Sequence, residues 1–220
     1  MGTSVTERVF WNDPYLTALD ARVVAVAGND VMLDRTILFA FSGGQESDCG
    51  TIAGNPVLEA RKLGNEILYT LPEDHGLRVG DSVALVLDWP RRYRLMRLHF
   101  AAELVLELVT QALPGVPKIG AHIAEDKARI DFEWPQSVTP LLPQITAQAT
   151  AIIEANRPIV SAFSDPARGL RYWEVEGLAR VPCGGTHLRT TGEVGAIALK
   201  RRNVGKGKER IEILLAGPDR

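Results

Sequence analysis

The chain is expected to fold as an α+β protein. A small β-barrel-like subdomain takes up residues 1–90, and an α+β subdomain with helices on an antiparallel sheet takes up 91–220. Three observations predict this. The first ninety residues carry short β-branched runs with closely spaced turn signals. The character changes at Asp88-Trp89-Pro90, after which a long segment shows helical apolar spacing. Beyond it, strand-like runs flank one further helical segment, the pattern of helices packed on an antiparallel sheet.

Taken in order, Ala-Arg-Val-Val-Ala-Val-Ala at 21–27 alternates and is β-branched. Gly28-Asn29-Asp30 is turn chemistry, and 31–39 resumes as a strand. Phe41 to Gly50, "FSGGQESDCG", reads as a Gly/Ser-rich loop, and strands follow near 66–71 and 82–88 with "LRVGDSV" turning between them. Over 91–112 the apolar positions Leu95, Leu98, Ala102, Val105, Leu106 and Val109 define a helix. A hairpin is expected over 121–133 around Asp126-Lys127. A second helix spans roughly 139–156 and stops before Pro158. Strands are expected near 157–163, 171–176, 193–200 and 209–215, with "NVGKGK" looping between the last two.

Composition excludes several classes. Hydrophobic residues make up 45% and charged residues 24% of the 220, ordinary for a soluble domain. No apolar run approaches the ~18 residues of a membrane span, and no basic segment precedes an apolar one as in a secretory leader. Met1-Gly2-Thr3-Ser4-Val5-Thr6 fits the short myristoylation pattern, which recurs by chance, and nothing else argues for a membrane. Two cysteines, Cys49 and Cys183, do not suggest a disulfide framework, so a reducing cytoplasm is the expected compartment. The net charge of −2 excludes a generic nucleic-acid binder. Basic residues nevertheless cluster at Arg91, Arg92, Arg94 and Arg97, and again at Lys200, Arg201, Arg202, Lys206, Lys208 and Arg210. Such patches can hold phosphates in a salt-sensitive way or simply be solvated.

The chemistry concentrates in "RVPCGGTH", which ends at His187. A chain with four histidines sets one of them close behind one of its two cysteines, around paired glycines. Zinc takes imidazole, thiolate and carboxylate ligands in a tetrahedron. His99 and Glu103, at i and i+4, would offer a helical pair, and Cys183 and His187 a loop pair. The same residues also fit a tight turn with an incidental thiol and a histidine capping an apolar face, and spacing alone leaves both open.

The stretch "CGGTHLRTTGEVGAI" resembles the signature of alanyl-tRNA synthetase editing domains and their free-standing relatives, the AlaX trans-editing proteins. "LDRTILFAFSGGQESDCG", "LDWPRRYRLMRLHFAAELV", "IAEDKARIDFEW" and "GKGKERIEI" resemble further family segments in the same order, covering roughly residues 20–215. The resemblance implies an N-terminal barrel-like subdomain and an α+β subdomain of the threonyl/alanyl-tRNA synthetase editing type. It implies a zinc site at His99, Cys183 and His187. It also implies hydrolysis of the ester joining serine or glycine to alanine tRNA. Thr36 matches the family threonine associated with the seryl hydroxyl, and Gln45 the glutamine of the Gly-rich loop. Both are expected to serve catalysis, although Thr36 also fits an ordinary strand residue and the loop a plain tight turn. Arg92, Lys206, Lys208 and Arg210 are expected at tRNA phosphates, with Arg92 and Arg210 equally suited to structural ion pairs.

One departure stands out. The family's second helical histidine is Glu103 here. A carboxylate can ligate zinc, or act as a base on water. "Gly-Gly-Gln" also occurs in peptide release factors, but none of the surrounding pattern fits. No P-loop or Rossmann glycine motif occurs, so ATP use is not expected. Two other classes compete with a free-standing deacylase: a tRNA-binding module that kept the fold without hydrolysis, and a metal-dependent hydrolase of another ester.

Overall fold

The structure, a computed structural model, describes residues 6–217. The myristoylation-like pattern lies, apart from Thr6, outside the described residues. The strands of the N-terminal half are β1 (Glu7–Arg8), β2 (Ala18–Ala27), β3 (Asp30–Leu33), β4 (Arg35–Thr36), β5 (Gly50–Ile52), β6 (Asn55–Pro56), β7 (Glu59–Leu63), β8 (Glu66–Thr70) and β9 (Ser82–Leu87). Then come α1 (Trp89–Ala112), β10 (Lys118–Ile123), β11 (Ala128–Glu133), α2 (Leu142–Glu154), β12 (Val160–Asp165), β13 (Leu170–Val175), β14 (Ala179–Pro182), β15 (Ile197–Asn203) and β16 (Lys208–Leu215). The chain divides into two compact units, one formed by Met1–Ser42 with Glu46–Tyr93, the other by Gly43–Gln45 with Arg94–Arg220.

In the first unit seven strands form an antiparallel sheet in the order β6-β5-β9-β2-β3-β8-β7. β2 is long enough to serve two partners. Ala18–Arg22 ladders with β9, and beyond it Val23–Ala27 ladders with β3 across a register shift between Val23 and Ala25. A strand that changes partners at an irregularity curls the sheet. This is the barrel-like character expected, although the ladder runs from β6 to β7 without closing. Strand β9 alternates, with Val83, Leu85 and Leu87 buried and Val86 exposed, so one face meets a core that includes Val23, Val31, Leu33, Ile52, Ile67 and Tyr69.

Two expectations for this half need correction. The strand expected over 31–39 is broken at Asp34, whose backbone N–H and carboxylate both bond Arg22 of β2, and only Arg35–Thr36 beyond it are strand, paired with β1 instead. β5, β6 and β7 were not anticipated. β5 and β6 are too short for alternation to register, and their connection, Ala53-Gly54, has positive φ at both residues (51° and 80°), a two-residue hairpin turn.

In the second unit a four-stranded antiparallel sheet has the order β10-β11-β16-β15, and a three-stranded one the order β12-β13-β14. Along α1, Leu95, Leu98, Ala102, Val105 and Val109 are buried as expected. Leu106 is only half-buried, whereas Met96, Phe100, Ala101, Leu104 and Leu108 are buried and widen the stripe. α2 follows a 3₁₀ turn at Thr139–Leu141 and buries Ile145, Ala149 and Ile153, one turn apart. The strand expected near 193–200 begins only at Ile197. Thr191–Val194 forms a 3₁₀ turn held by a capping box between Thr190 and Glu193. β14 was not anticipated. It is an edge strand, where Pro182 removes no needed donor.

Candidate metal centre

The helical rise of α1 places His99 and Glu103 on one face, a turn apart. The other two expected ligands arrive from the three-stranded sheet. The Cys183 N–H donates to Arg171 O at 2.9 Å, carrying the β13–β14 pairing one residue past β14. The chain then turns through Gly184-Gly185. The Gly185 N–H lies 3.4 Å from Cys183 Sγ, and Arg171 Nη1 donates to Gly185 O at 3.2 Å. His187 Nδ1 faces Ser161 Oγ at 3.3 Å, which leaves its Nε2 for the centre.

The four side chains converge. His99 Nε2 is 3.2 Å from Cys183 Sγ and 3.2 Å from Glu103 Oε2, and His187 Nε2 is 3.3 Å from the same carboxylate oxygen. One donor atom from each residue lies within 4.8 Å of all the others. Glu103 Oε2 and His187 Nε2 are buried and meet no partner in hydrogen-bond geometry. Buried polar atoms left in this state point to a missing partner common to both. Two imidazoles, a thiolate and a carboxylate form a donor set suited to a tetrahedral divalent ion, so the residues fit a metal.

Glycine 185 is required by this convergence. A Cβ there would come within 2.5 Å of His99 Cε1, 3.0 Å of His99 Nε2 and 3.2 Å of Gln45 Oε1.

The charges support one another. Burial opposes ionisation of Glu103, but His99 and His187 outweigh it and hold the carboxyl far below the usual range. Burial likewise opposes protonation of both imidazoles, yet Glu103 and Cys183 together raise His99 well above its ordinary value and raise His187 as well. The Cys183 thiol, pushed up by burial, is brought down to about 7 mainly by the His99 charge.

Gln45 belongs to this unit. Its backbone bridges Ile123 of β10, and the Ile123 N–H donates to Gly44 O at 2.8 Å. Gly44, at φ +88°, has no room for a side chain, since a Cβ would stand 2.5 Å from Ala121 O. Gln45 is fully buried, and its Nε2 donates to Thr186 Oγ1 at 3.3 Å.

Thr36 lies in the first unit and is fully buried. Its Oγ1 accepts the Leu38 N–H at 3.0 Å and is 2.7 Å from Tyr69 Oη, whose own hydrogen goes to Leu38 O at 2.8 Å. Arg92 does not lie at a surface. It is fully buried, bonded to both Asp48 oxygens, to Ile37 O at 2.6 Å and to Pro14 O at 2.9 Å. A guanidinium so enclosed has no face to offer a phosphate, and Arg92 is a structural ion-pair partner. Arg210 pairs with Asp131 at 2.6 Å, and Arg201 and Arg202 pair with Glu209 and Glu212. Lys206 and Lys208 are exposed around the β15–β16 turn. Sequence reasoning did not single out Thr186, Arg171 or Ser161. Thr186 was signalled only by its place inside the Cys-Gly-Gly-Thr-His motif. Nothing in the sequence marked Arg171 or Ser161.

Comparison with known proteins agrees with this geometry. Residues 175–212 match the family model described as the threonyl and alanyl tRNA synthetase second additional domain. The chain is 31% identical to an alanyl-tRNA editing protein AlaX-M of Pyrococcus horikoshii, over 96% of this chain and 99% of the relative. It is 30% identical to an AlaX-M protein of Saccharolobus solfataricus, over 94% and 98%. It is 34% identical to an alanine–tRNA ligase of Ignicoccus hospitalis over 97% of this chain, but that match takes up only 26% of the ligase.

Proposed function

Because the chain belongs to the family of the AlaX-M alanyl-tRNA editing proteins, we propose that it is a free-standing deacylase that hydrolyses seryl or glycyl esters of alanine tRNA. The observation that carries this reading is the convergence of His99, Glu103, Cys183 and His187 beside the buried Gln45, in a chain that matches an AlaX-M protein over 96% of its residues. A synthetic site cannot readily exclude serine or glycine from an alanine pocket by size, and a second hydrolytic sieve is the known remedy.

The metal suited to the centre is zinc, held by His99 Nε2, Glu103, Cys183 Sγ and His187 Nε2. When bound, it would supply Lewis acidity toward an ester carbonyl or a water. Glu103 and Cys183 bring two negative charges, so the centre is neutral with a divalent ion. A histidine at 103 would leave it one unit more positive. Arg171 braces the Cys-Gly-Gly turn through Gly185 O, and Ser161 holds His187 Nδ1 so that Nε2 is the free nitrogen.

Thr36 is the proposed partner of the seryl hydroxyl. Since the Tyr69 hydrogen is given to Leu38 O, the Thr36 hydrogen goes to Tyr69, and Thr36 is left able only to accept. A seryl hydroxyl can donate to it and an alanyl methyl cannot. Thr36→Val is expected to blur the choice between seryl and alanyl esters, and unchanged selectivity in that variant refutes the role.

Lys206 and Lys208 are the proposed phosphate contacts. The test is release of serine from seryl-tRNA charged on alanine tRNA, with alanyl-tRNA alongside. Serine released well above the spontaneous rate, with alanine spared, is the expected result. Salt-sensitive tRNA binding without turnover by folded, zinc-loaded protein would instead identify a binding module, the reading that Glu103 in place of histidine favours.

A further inference from the structure

We propose that Thr186 is a positioning residue that aims Gln45, so that the Gln45 carbonyl receives the α-ammonium group of the aminoacyl ester. The inference rests on the deacylase reading and adds to it the recognition of the substrate's amine. Both side chains are fully buried, and the Gln45 Nε2–Thr186 Oγ1 contact at 3.3 Å is the polar contact they share. The amide has two ends. With Nε2 committed to Thr186, Oε1 is left buried with no partner. That atom borders the centre, because Gln45 Oε1 and the His99 ring both crowd Gly185, lying 3.2 Å and 2.5 Å from where its Cβ would stand.

A dry, unpartnered amide oxygen costs free energy until a donor reaches it. The Gln45 backbone is held on β10, and its fully buried side chain is restrained by the contact with Thr186. The site therefore holds a preformed acceptor in a place from which solvent is excluded. Every aminoacyl ester presents an ammonium group on the carbon next to its carbonyl, and a charged donor makes the stronger hydrogen bond. Thr186 contributes by consuming the competing end of the amide. Without its hydroxyl the amide would be free to turn over and present hydrogens where the substrate also brings hydrogens.

The probe is 3′-(L-seryl)amino-3′-deoxyadenosine, a non-hydrolysable mimic of the aminoacylated tRNA terminus, and its N-acetylated form, titrated into zinc-loaded protein by calorimetry. Wild type should bind the amine form at least about ten-fold more tightly than the acetylated form. Thr186→Val should lose about ten-fold on the amine form and leave the acetylated form unmoved, with zinc per chain unchanged. Thr186→Ser should restore binding, and Gln45→Met should add nothing further to Thr186→Val. An equal loss on both forms, or full additivity of the two substitutions, overturns the inference. So does a wild type indifferent to acetylation. If Thr186→Val does not fold or hold zinc, Gln45→Met alone decides, since unmoved amine binding there is equally fatal. Wild type that binds neither form would remove the deacylase reading and this inference with it, whereas wild-type binding with unaffected variants removes only the inference.

Discussion

Glu103 Oε2 stands 3.3 Å from His187 Nε2, joining the helix α1 to the turn that follows β14. The same oxygen is 3.2 Å from His99 Nε2. One carboxylate oxygen thus sits between two imidazole nitrogens, as the fourth candidate donor of the group.

Replacing Glu103 tests this directly. Glu103→Ala is expected to weaken zinc binding by at least ~100-fold, more than loss of an outer partner does. Glu103→His should keep the metal. Zinc titration against a chelator reads both. Unchanged affinity in Glu103→Ala rules the carboxylate out as a ligand.

Gly185 should tolerate no side chain. Gly185→Ala puts a methyl against the His99 ring, and a ring that yields moves away from the other three donors. Zinc content should fall while the melting temperature of the metal-free protein stays nearly constant. A variant that loads zinc normally would show that the turn can shift.

Arg92 and the two lysines should separate cleanly. Arg92→Ala leaves Asp48 charged and buried, a loss of about 3–5 kcal/mol in stability. Lys206→Ala and Lys208→Ala should leave stability alone and each lower the salt slope of tRNA binding by ~1. Denaturant titration and binding across a salt series separate the two effects. A salt slope unmoved in both lysine variants would remove that turn from the tRNA contact.

Acid should loosen the four-stranded sheet through Asp131 and Glu209. Burial would raise Asp131, but Arg210 and Arg129 outweigh it and hold it low, while Arg201 holds Glu209 low. Groups depressed in the folded state stabilise above their unfolded values of about 4. That contribution is lost as pH falls through the lower folded values. Asp131→Asn should cost about 1.5–3 kcal/mol at pH 7 and flatten the loss of stability below pH ~4. An identical acid profile in the variant would show that the Arg210 pair contributes nothing.

The local order of the chain was legible without coordinates. Helix α1, the β2–β3 and β10–β11 hairpins and the strands β8, β9, β13 and β16 follow from apolar period and turn chemistry, which neighbouring residues decide among themselves. So did the four donor residues as candidates, because i,i+4 spacing on a helix and a glycine turn between Cys183 and His187 are short-range facts. Short strands such as β5, β6 and β14 left no period to read, and they exist because neighbouring strands pair with them. Tertiary structure alone decided that Arg92 is buried on Asp48, and that Gly43–Gln45 packs with the second unit. It also decided that Thr186 consumes one end of the Gln45 amide. Each of these depends on which distant backbone and side chain closes over a polar group. Burial and hydrogen-bond satisfaction are properties of the assembled chain, and the sequence alone sets only which groups will need partners.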